Sequence, residues 1–363
     1  MRTKLGISIF LLACTAGGVE VFAQAPPAPA FNCANLDSTE IEITACAKSL
    51  LNRQSLINTS TSIQNIIIDR FDAGPNQTEP AGIALNTEQD ILDRLSSNGN
   101  ITIIPTADVA TPAASPLWNV WIDGKYSWLD DTAAFSNLDG SLVNLIVGAD
   151  YKVSDRLVVG LMGTLETSDL DDNGAVSQQT DGWGGGAYMG LTLTDNVVFS
   201  ANILGTALDT DINNVSNVFD SERVQASAAL TGYWYSGTWR YSPSLTLAWS
   251  KEWQDGNLGL SDQEISTAVI SPGIQIGNTI AIADANTVEP WLGAQFDAVA
   301  LNKVVDETFG TVLDDPYTDL RLQSGLNFSF GANAQLALTA EISGLIYNDS
   351  DTFTAGANLA FQF

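Results

Sequence analysis

The sequence predicts an all-β fold: a transmembrane antiparallel β-barrel of about twelve strands, preceded by a short, mostly helical N-terminal segment. Three observations predict it. From Trp118 onward, stretches of roughly ten or more residues alternate apolar and polar side chains. Short turns and longer polar connections follow one another in turn along that region. Beyond the N-terminus no run of roughly 18 apolar residues occurs, so a helical membrane span is excluded while a barrel, which crosses with strands, is not.

The chain opens with a basic Met1–Lys4, an apolar Leu5–Ala13 too short to cross a bilayer, and Val21-Phe22-Ala23 at the positions a signal peptidase reads. Residues 1–23 are therefore expected to be a signal peptide handed to a secretion translocon and cleaved after Ala23. Leu11-Leu12-Ala13-Cys14 offers a lipoprotein box as the alternative, which would leave a lipidated Cys14.

Residues 24–99 are expected to form a short helical region. After a Pro/Ala tract, Ile41, Ile43, Ala47, Leu50, Leu51, Leu56, Ile63 and Ile67 recur at mixed helical spacing, which predicts one or two helices over 37–71. Asp37-Ser38-Thr39-Glu40 supplies N-caps and Asp72-Ala73-Gly74-Pro75 a stop. A second short helix is expected over 87–96. Residues 100–116, rich in Thr, Ala and Pro, read as an extended linker. Cys33 and Cys46 form a pair that either oxidises in a periplasm or stays as two thiols. The region reads equally well as an exported segment, a plug or linker in the barrel lumen, or a periplasmic appendage.

Residues 117–363 are the predicted barrel. Phe353, Ala355, Ala357, Leu359, Phe361 and Phe363 share one face of the last strand, with Thr354, Gly356, Asn358, Ala360 and Gln362 on the other. Trp239, Tyr241, Pro243, Leu245, Leu247 and Trp249 oppose Arg240, Ser242, Ser244, Thr246, Ala248 and Ser250 in the same way. Strands are expected to start near Trp118, Ser141, Arg156, Asp181, Val197, Glu222, Thr238, Ile265, Thr287, Thr318, Asn333 and Thr352. Long connections are expected near 130–139, 168–180, 209–221, 252–263 and 302–317. Around Asn278–Asn286, where a short turn belongs, a strand end is expected to continue. Trp118, Trp128, Trp183, Trp234, Trp239, Trp249, Trp253 and Trp291 are candidates for interfacial girdles, with ordinary packing as the competing role for some of them.

Composition narrows function. Forty-two acidic residues face 14 Lys and Arg, for a net charge of -28, while only 15% of residues are charged and mean hydropathy is +0.08. Such a surface repels a phosphate backbone, which excludes nucleic acid as a partner. The sequence has no His, which removes the commonest general base and most zinc sites. No catalytic residue, cofactor or metal site is expected, and the chain reads as no enzyme. Asp171-Asp172-Asn173-Gly174 suggests a cation loop but lacks calcium-ligand spacing, so Asp169, Asp171, Asp172 and Asp220 read as solvated acids.

Alternation points nine charges into the lumen: Asp123, Lys125, Glu166, Arg223, Arg240, Glu289, Asp297, Arg321 and Glu341. There they are tolerated by water or by pairing; on the lipid face a basic residue would cost about 2–4 kcal/mol at mid-bilayer. They are expected either to stiffen the wall or to hold an inserted segment and tune ion passage.

The hairpin from Gly148-Ala149-Asp150-Tyr151 through Asp155-Arg156-Leu157 to Gly160, the run Gly186-Ala187-Tyr188-Met189-Gly190 leading to Asp195-Asn196-Val197, and the ending Asn358-Leu359-Ala360-Phe361-Gln362-Phe363 resemble the autotransporter β-domain family, the translocator of type V secretion. The resemblance covers roughly Trp118–Phe363. It implies a twelve-stranded barrel in the outer membrane of a Gram-negative cell, a helix or linker through its lumen, and an N-terminal passenger carried to the cell surface. It implies as partners outer-membrane lipid and lipopolysaccharide, and the barrel-assembly machinery, which reads Leu359, Phe361 and Phe363. The chain departs from the pattern in having no long repetitive passenger between Gln24 and Pro116. A small porin-like channel with a periplasmic N-terminal segment is the alternative reading.

Overall fold

The computed structural model describes residues 40–71, 117–131, 138–172, 176–213, 215–257, 261–283, 286–308, 310–314, 316–331, 333–346 and 350–363. The expected signal peptide, Cys33, the expected second helix and the expected linker lie outside these residues, and so does the side chain of Cys46.

One helix, α1 (Glu40–Phe71), precedes twelve barrel strands. These are β1 (Trp118–Asp131), β2 (Leu138–Ser154), β3 (Leu157–Asp172), β4 (Val176–Thr194), β5 (Val197–Ile212) and β6 (Val215–Gly232, prolonged by Trp234–Ser236). They continue as β7 (Trp239–Gly256), β8 (Gln263–Asn278, prolonged by Ile280–Ala283), β9 (Asn286–Asp306), β10 (Gly310–Asp314 and Tyr317–Phe330), β11 (Ala334–Ser343) and β12 (Ser350–Gln362). Each strand pairs antiparallel with the next, and β12 returns to β1 from Asn119↔Gln362 to Asp131↔Ser350, so the sheet closes without an edge. Reciprocal backbone hydrogen bonds between Trp118 and Phe363 finish the seam. Closure lets every backbone N–H and C=O find a partner in a medium that offers no water.

Short turns gather at the end where β1 begins and β12 stops, here called the terminal end. Gly237 and Gly331 sit in two of them with φ of +64° and +60°, left-handed values that glycine adopts without a Cβ clash. The connections at the opposite, loop end are shorter than the sequence suggests, because the strands run on into them. β3 extends to Asp172 and β4 starts at Val176, inside the expected 168–180 connection; β6 starts at Val215 and β9 reaches Asp306. About 9–11 residues cross a bilayer, yet β9 has 21, so regular pairing continues beyond the membrane where hydropathy no longer marks it. The strand around Asn278–Asn286 does continue, to Ala283.

Outward and inward faces alternate cleanly in burial: Trp239, Tyr241, Leu245, Leu247 and Trp249 are exposed while Arg240, Ser242, Thr246, Ala248 and Ser250 are buried. Seven of the eight girdle tryptophans face outward. Trp291 does not: it is buried inside the barrel, where its indole N–H donates to Asn327 at 3.2 Å and its ring covers Gly325. It shares the inward parity of Asp297, which overrides its aromatic character.

Acidic residues concentrate on the outer face near the loop end. Asp181 faces Asp209, Asp209 faces Asp220, and Asp220 faces Asp255 across successive strand pairs. Asp351, Asp130, Asp139 and Asp171 make a second such row. Asp169, Asp171 and Asp220 are thus outward strand residues rather than loop residues. Like charges directly opposed destabilise a sheet by about 0.2–1 kcal/mol per pair. Asp209→Asn should therefore raise the thermal midpoint of the detergent-solubilised protein, and the gain should shrink at high salt; an unchanged midpoint at low salt would contradict the repulsion.

Candidate functional site: a helix held in the lumen

α1 threads the barrel. Its 32 residues span about 48 Å at 1.5 Å per residue, enough to traverse a bilayer's full thickness. Two apolar collars grip it. Ala47, Leu50 and Leu51, at helical spacing i, i+3, i+4, pack on Leu129, Leu138, Leu142 and Leu170 near the loop end. Ile63, Ile66 and Ile67 repeat that spacing and pack on Trp121, Ile146, Met162, Tyr188, Val198 and Leu204 nearer the terminal end. Gly190 lets the helix approach the wall there, since a Cβ would lie 2.5 Å from Ile67 Cγ2.

Between the collars the interface is polar. Ser55 donates to Glu166 at 2.5 Å, and Arg223 reaches both, Ser55 at 3.0 Å and Glu166 at 2.6 Å. Glu252 lies 3.8 Å from the same guanidinium and accepts from Asn52 at 3.1 Å. Asn58 donates to Asn144 at 2.7 Å, Ser62 donates to Asp123 at 2.6 Å, and Lys125 donates to the Asn58 carbonyl at 2.8 Å. The run from Ile57 to Gln64 is a poor helix former by composition. Ser60, Thr61 and Ser62 bond back to carbonyls of the preceding turn, which does not strengthen a helix; the run stays helical because the wall satisfies its polar side chains and packs its apolar ones.

At the terminal end Asp150 holds the last turn. Its carboxylate, fully enclosed, pairs with Arg70 at 2.9 Å and accepts from Tyr188 and Asn119, each at 2.9 Å. Trp121 in turn donates to the Tyr188 hydroxyl at 2.6 Å. Gly148 and Gly160 make room for these rings: a Cβ at either would fall inside Trp121 or Tyr188. At the loop end Lys48 donates to Gln254 at 2.8 Å, Ser49 donates to Asn302 at 2.5 Å and Arg53 bonds the Tyr317 hydroxyl. The helix therefore runs from the loop end at Glu40 to the terminal end at Phe71.

All nine charges singled out by alternation point inward. Asp123, Lys125, Glu166 and Arg223 belong to the helix interface. Arg240 pairs with Glu289 at 2.5 Å, and Arg321 bridges Asp297 at 3.1 Å and Glu341 at 3.3 Å. Leu359 is half-buried and Phe361 and Phe363 are exposed on the outer side of β12. Glu252 and Trp121 escaped the sequence reading, and Asp150 and Tyr188 entered it only within the family motifs, although the same parity marks all four as inward. Among the described residues no group of His, Cys, Asp or Glu is arranged to hold a metal ion.

Several cations are enclosed, while acidic residues gather on the outer face near the loop end. Lys48, Arg53, Lys125, Arg223, Arg240 and Arg321 are all buried within the lumen. The net charge of -28 belongs to the whole chain, and within the lumen Asp150, Glu166, Glu289, Asp297 and Glu341 each lie within 3.3 Å of an Arg.

A family model described as "Autotransporter beta-domain" matches residues 120–343. Solved structures share the fold at low identity. The beta domain of the Bordetella autotransporter BrkA superposes with a TM-score of 0.54 at 13% identity, over 68% of this chain and 100% of that one. The translocator domain of NalP from Neisseria meningitidis gives 0.51 at 11%, over 85% and 99%. The transport unit of AIDA-I from Escherichia coli gives 0.52 at 10%, over 76% and 97%. No curated protein sequence matches.

Proposed function

Because this chain belongs to the autotransporter β-domain family, we propose that it is an outer-membrane barrel that anchors its own N-terminal segment at the cell surface through a helix retained in the lumen. The direction of α1 carries this reading. The helix begins at the loop end with Glu40, and Arg70 is fixed at the terminal end beside Asp150 and Gln362. Short turns and both barrel termini belong on the periplasmic side of a bacterial barrel, which puts the loop end outside. The acidic outer rim then stands among lipopolysaccharide headgroups, and the apolar band meets lipid. The signal peptide over 1–23 would supply export through the secretion translocon, and Leu359, Phe361 and Phe363 would be read by the barrel-assembly machinery. The barrel's work in this reading is anchoring, with no catalytic step.

Protease treatment of intact cells carrying an epitope tag just after Gln24 tests the reading. The tag should be lost while the barrel stays folded. A tag protected in intact cells and digested only after permeabilisation would place the segment in the periplasm and favour the porin-like channel.

A further inference from the structure

The helix does not lie on the barrel axis. Its backbone runs nearest the wall from β2 round to β9 and the first segment of β10. It reaches the opposite wall through side chains, with Gln54 bonded to Thr354 at 3.3 Å, Asn58 to Ser127 at 3.2 Å, Ser62 to Asp123 at 2.6 Å and Arg70 to Gln362 at 3.1 Å. Among the described residues, the space beside the helix along β11 and the terminal-end half of β10 is lined by the wall's own side chains.

Those side chains fill it only in part. On β9–β11 the inward residues toward the loop end are buried, including Asp297, Asp319, Arg321 and Ser343, whereas Gln323, Asn327, Gln335 and Thr339, nearer the terminal end, are half-exposed. A cavity of about 30 Å³, room for about one water, adjoins this region between Thr61 and Gln64 of the helix and Gln275 and Gln323 of the wall. Solvent access thus extends beside the helix from the terminal end and stops at the level of Arg321. There Arg321 spans from Asp297 on β9 to Glu341 on β11, Gln323 adds a bond to Glu341 at 2.6 Å, and Lys125 closes toward the helix from β1.

We infer that the lumen carries two seals, the helix and a side-chain barrier centred on Arg321, and that Arg321 stops ions on the side the helix leaves open. The inference rests on the membrane-barrel reading above. Its chemistry follows from what surrounds the guanidinium: without it, Asp297 and Glu341 remain as fixed negative charges facing an aqueous gap, a lining that passes cations and repels anions.

The test is conductance of the full-length mature protein in planar bilayers, paired with liposome swelling in arabinose. Wild type should hold no steady conductance. Arg321→Ala should conduct with a reversal potential favouring K⁺ over Cl⁻ in a KCl gradient, while arabinose stays excluded because the helix remains; Arg321→Lys should restore closure. Retained heat-modifiable migration on electrophoresis shows that each variant is folded. A folded Arg321→Ala as tight as wild type overturns the inference. So does entry of arabinose along with the ions, which would mean that Arg321 retains the helix instead. Arg321→Lys leaking as much as Arg321→Ala would also overturn it. A wild-type protein that never inserts would count against the barrel reading, not against this one.

Discussion

Arg223→Met is expected to destabilise the folded protein by about 3–5 kcal/mol, the cost of breaking a buried ion pair by removing one partner. Arg223 is 2% exposed and serves Glu166, Glu252 and Ser55 at once. Its loss strands two carboxylates inside the barrel while Ser55 and Asn52 still press on them. The midpoint of chemical unfolding in detergent, read by heat-modifiable migration, should fall accordingly. The double variant Glu166→Gln/Arg223→Met should cost less than the sum of the single variants, because each alone leaves a charge that the pair removes. Additive losses would show that the two side chains stabilise the wall independently.

Asp150→Ala should act as strongly but at one end. The carboxylate is enclosed completely and takes bonds from Tyr188 and Asn119 besides its pairing with Arg70, so its removal costs about 3–5 kcal/mol locally. Because these partners lie at the last turn of α1, the expected result is fraying of the helix from its terminal end with the barrel still closed. Trypsin added to reconstituted protein should then cut at Arg70, a site protected in the wild type. If the variant instead loses heat-modifiable migration without new cleavage, the cluster supports the wall rather than the helix. The contrast with Asp209→Asn is informative: removing one carboxylate inside the barrel weakens it, and removing one on its outer rim strengthens it.

Strand number, closure and the two faces of the wall were legible in the sequence because a barrel strand between lipid and a wet lumen forces strict alternation. A residue's parity decides its side, which is why Glu166, Arg223 and Arg321 could be placed inward without knowing their partners. Trp291 shows the same rule from the other side: read as an aromatic it belongs to the girdle, read by parity it belongs inside, and parity wins. Strand ends were less legible. Hydropathy marks only the part of a strand that meets lipid, and β3, β4 and β9 go on pairing through polar sequence at the loop end.

What the sequence determined by itself is therefore the barrel and the side of its wall on which each charge lies. Only the tertiary structure decided that Glu40–Phe71 occupies the lumen, in which direction it runs, and which wall it leans on. The apolar triplets at Ala47–Leu51 and Ile63–Ile67 announce a helix with two gripping points, but the polar stretch between them fits water equally well. It becomes buried because Glu166, Arg223, Asp123 and Lys125, drawn from distant strands, converge on Ser55, Asn58 and Ser62. Closure of the sheet brings those charges together, and no local pattern in the helix encodes that it will.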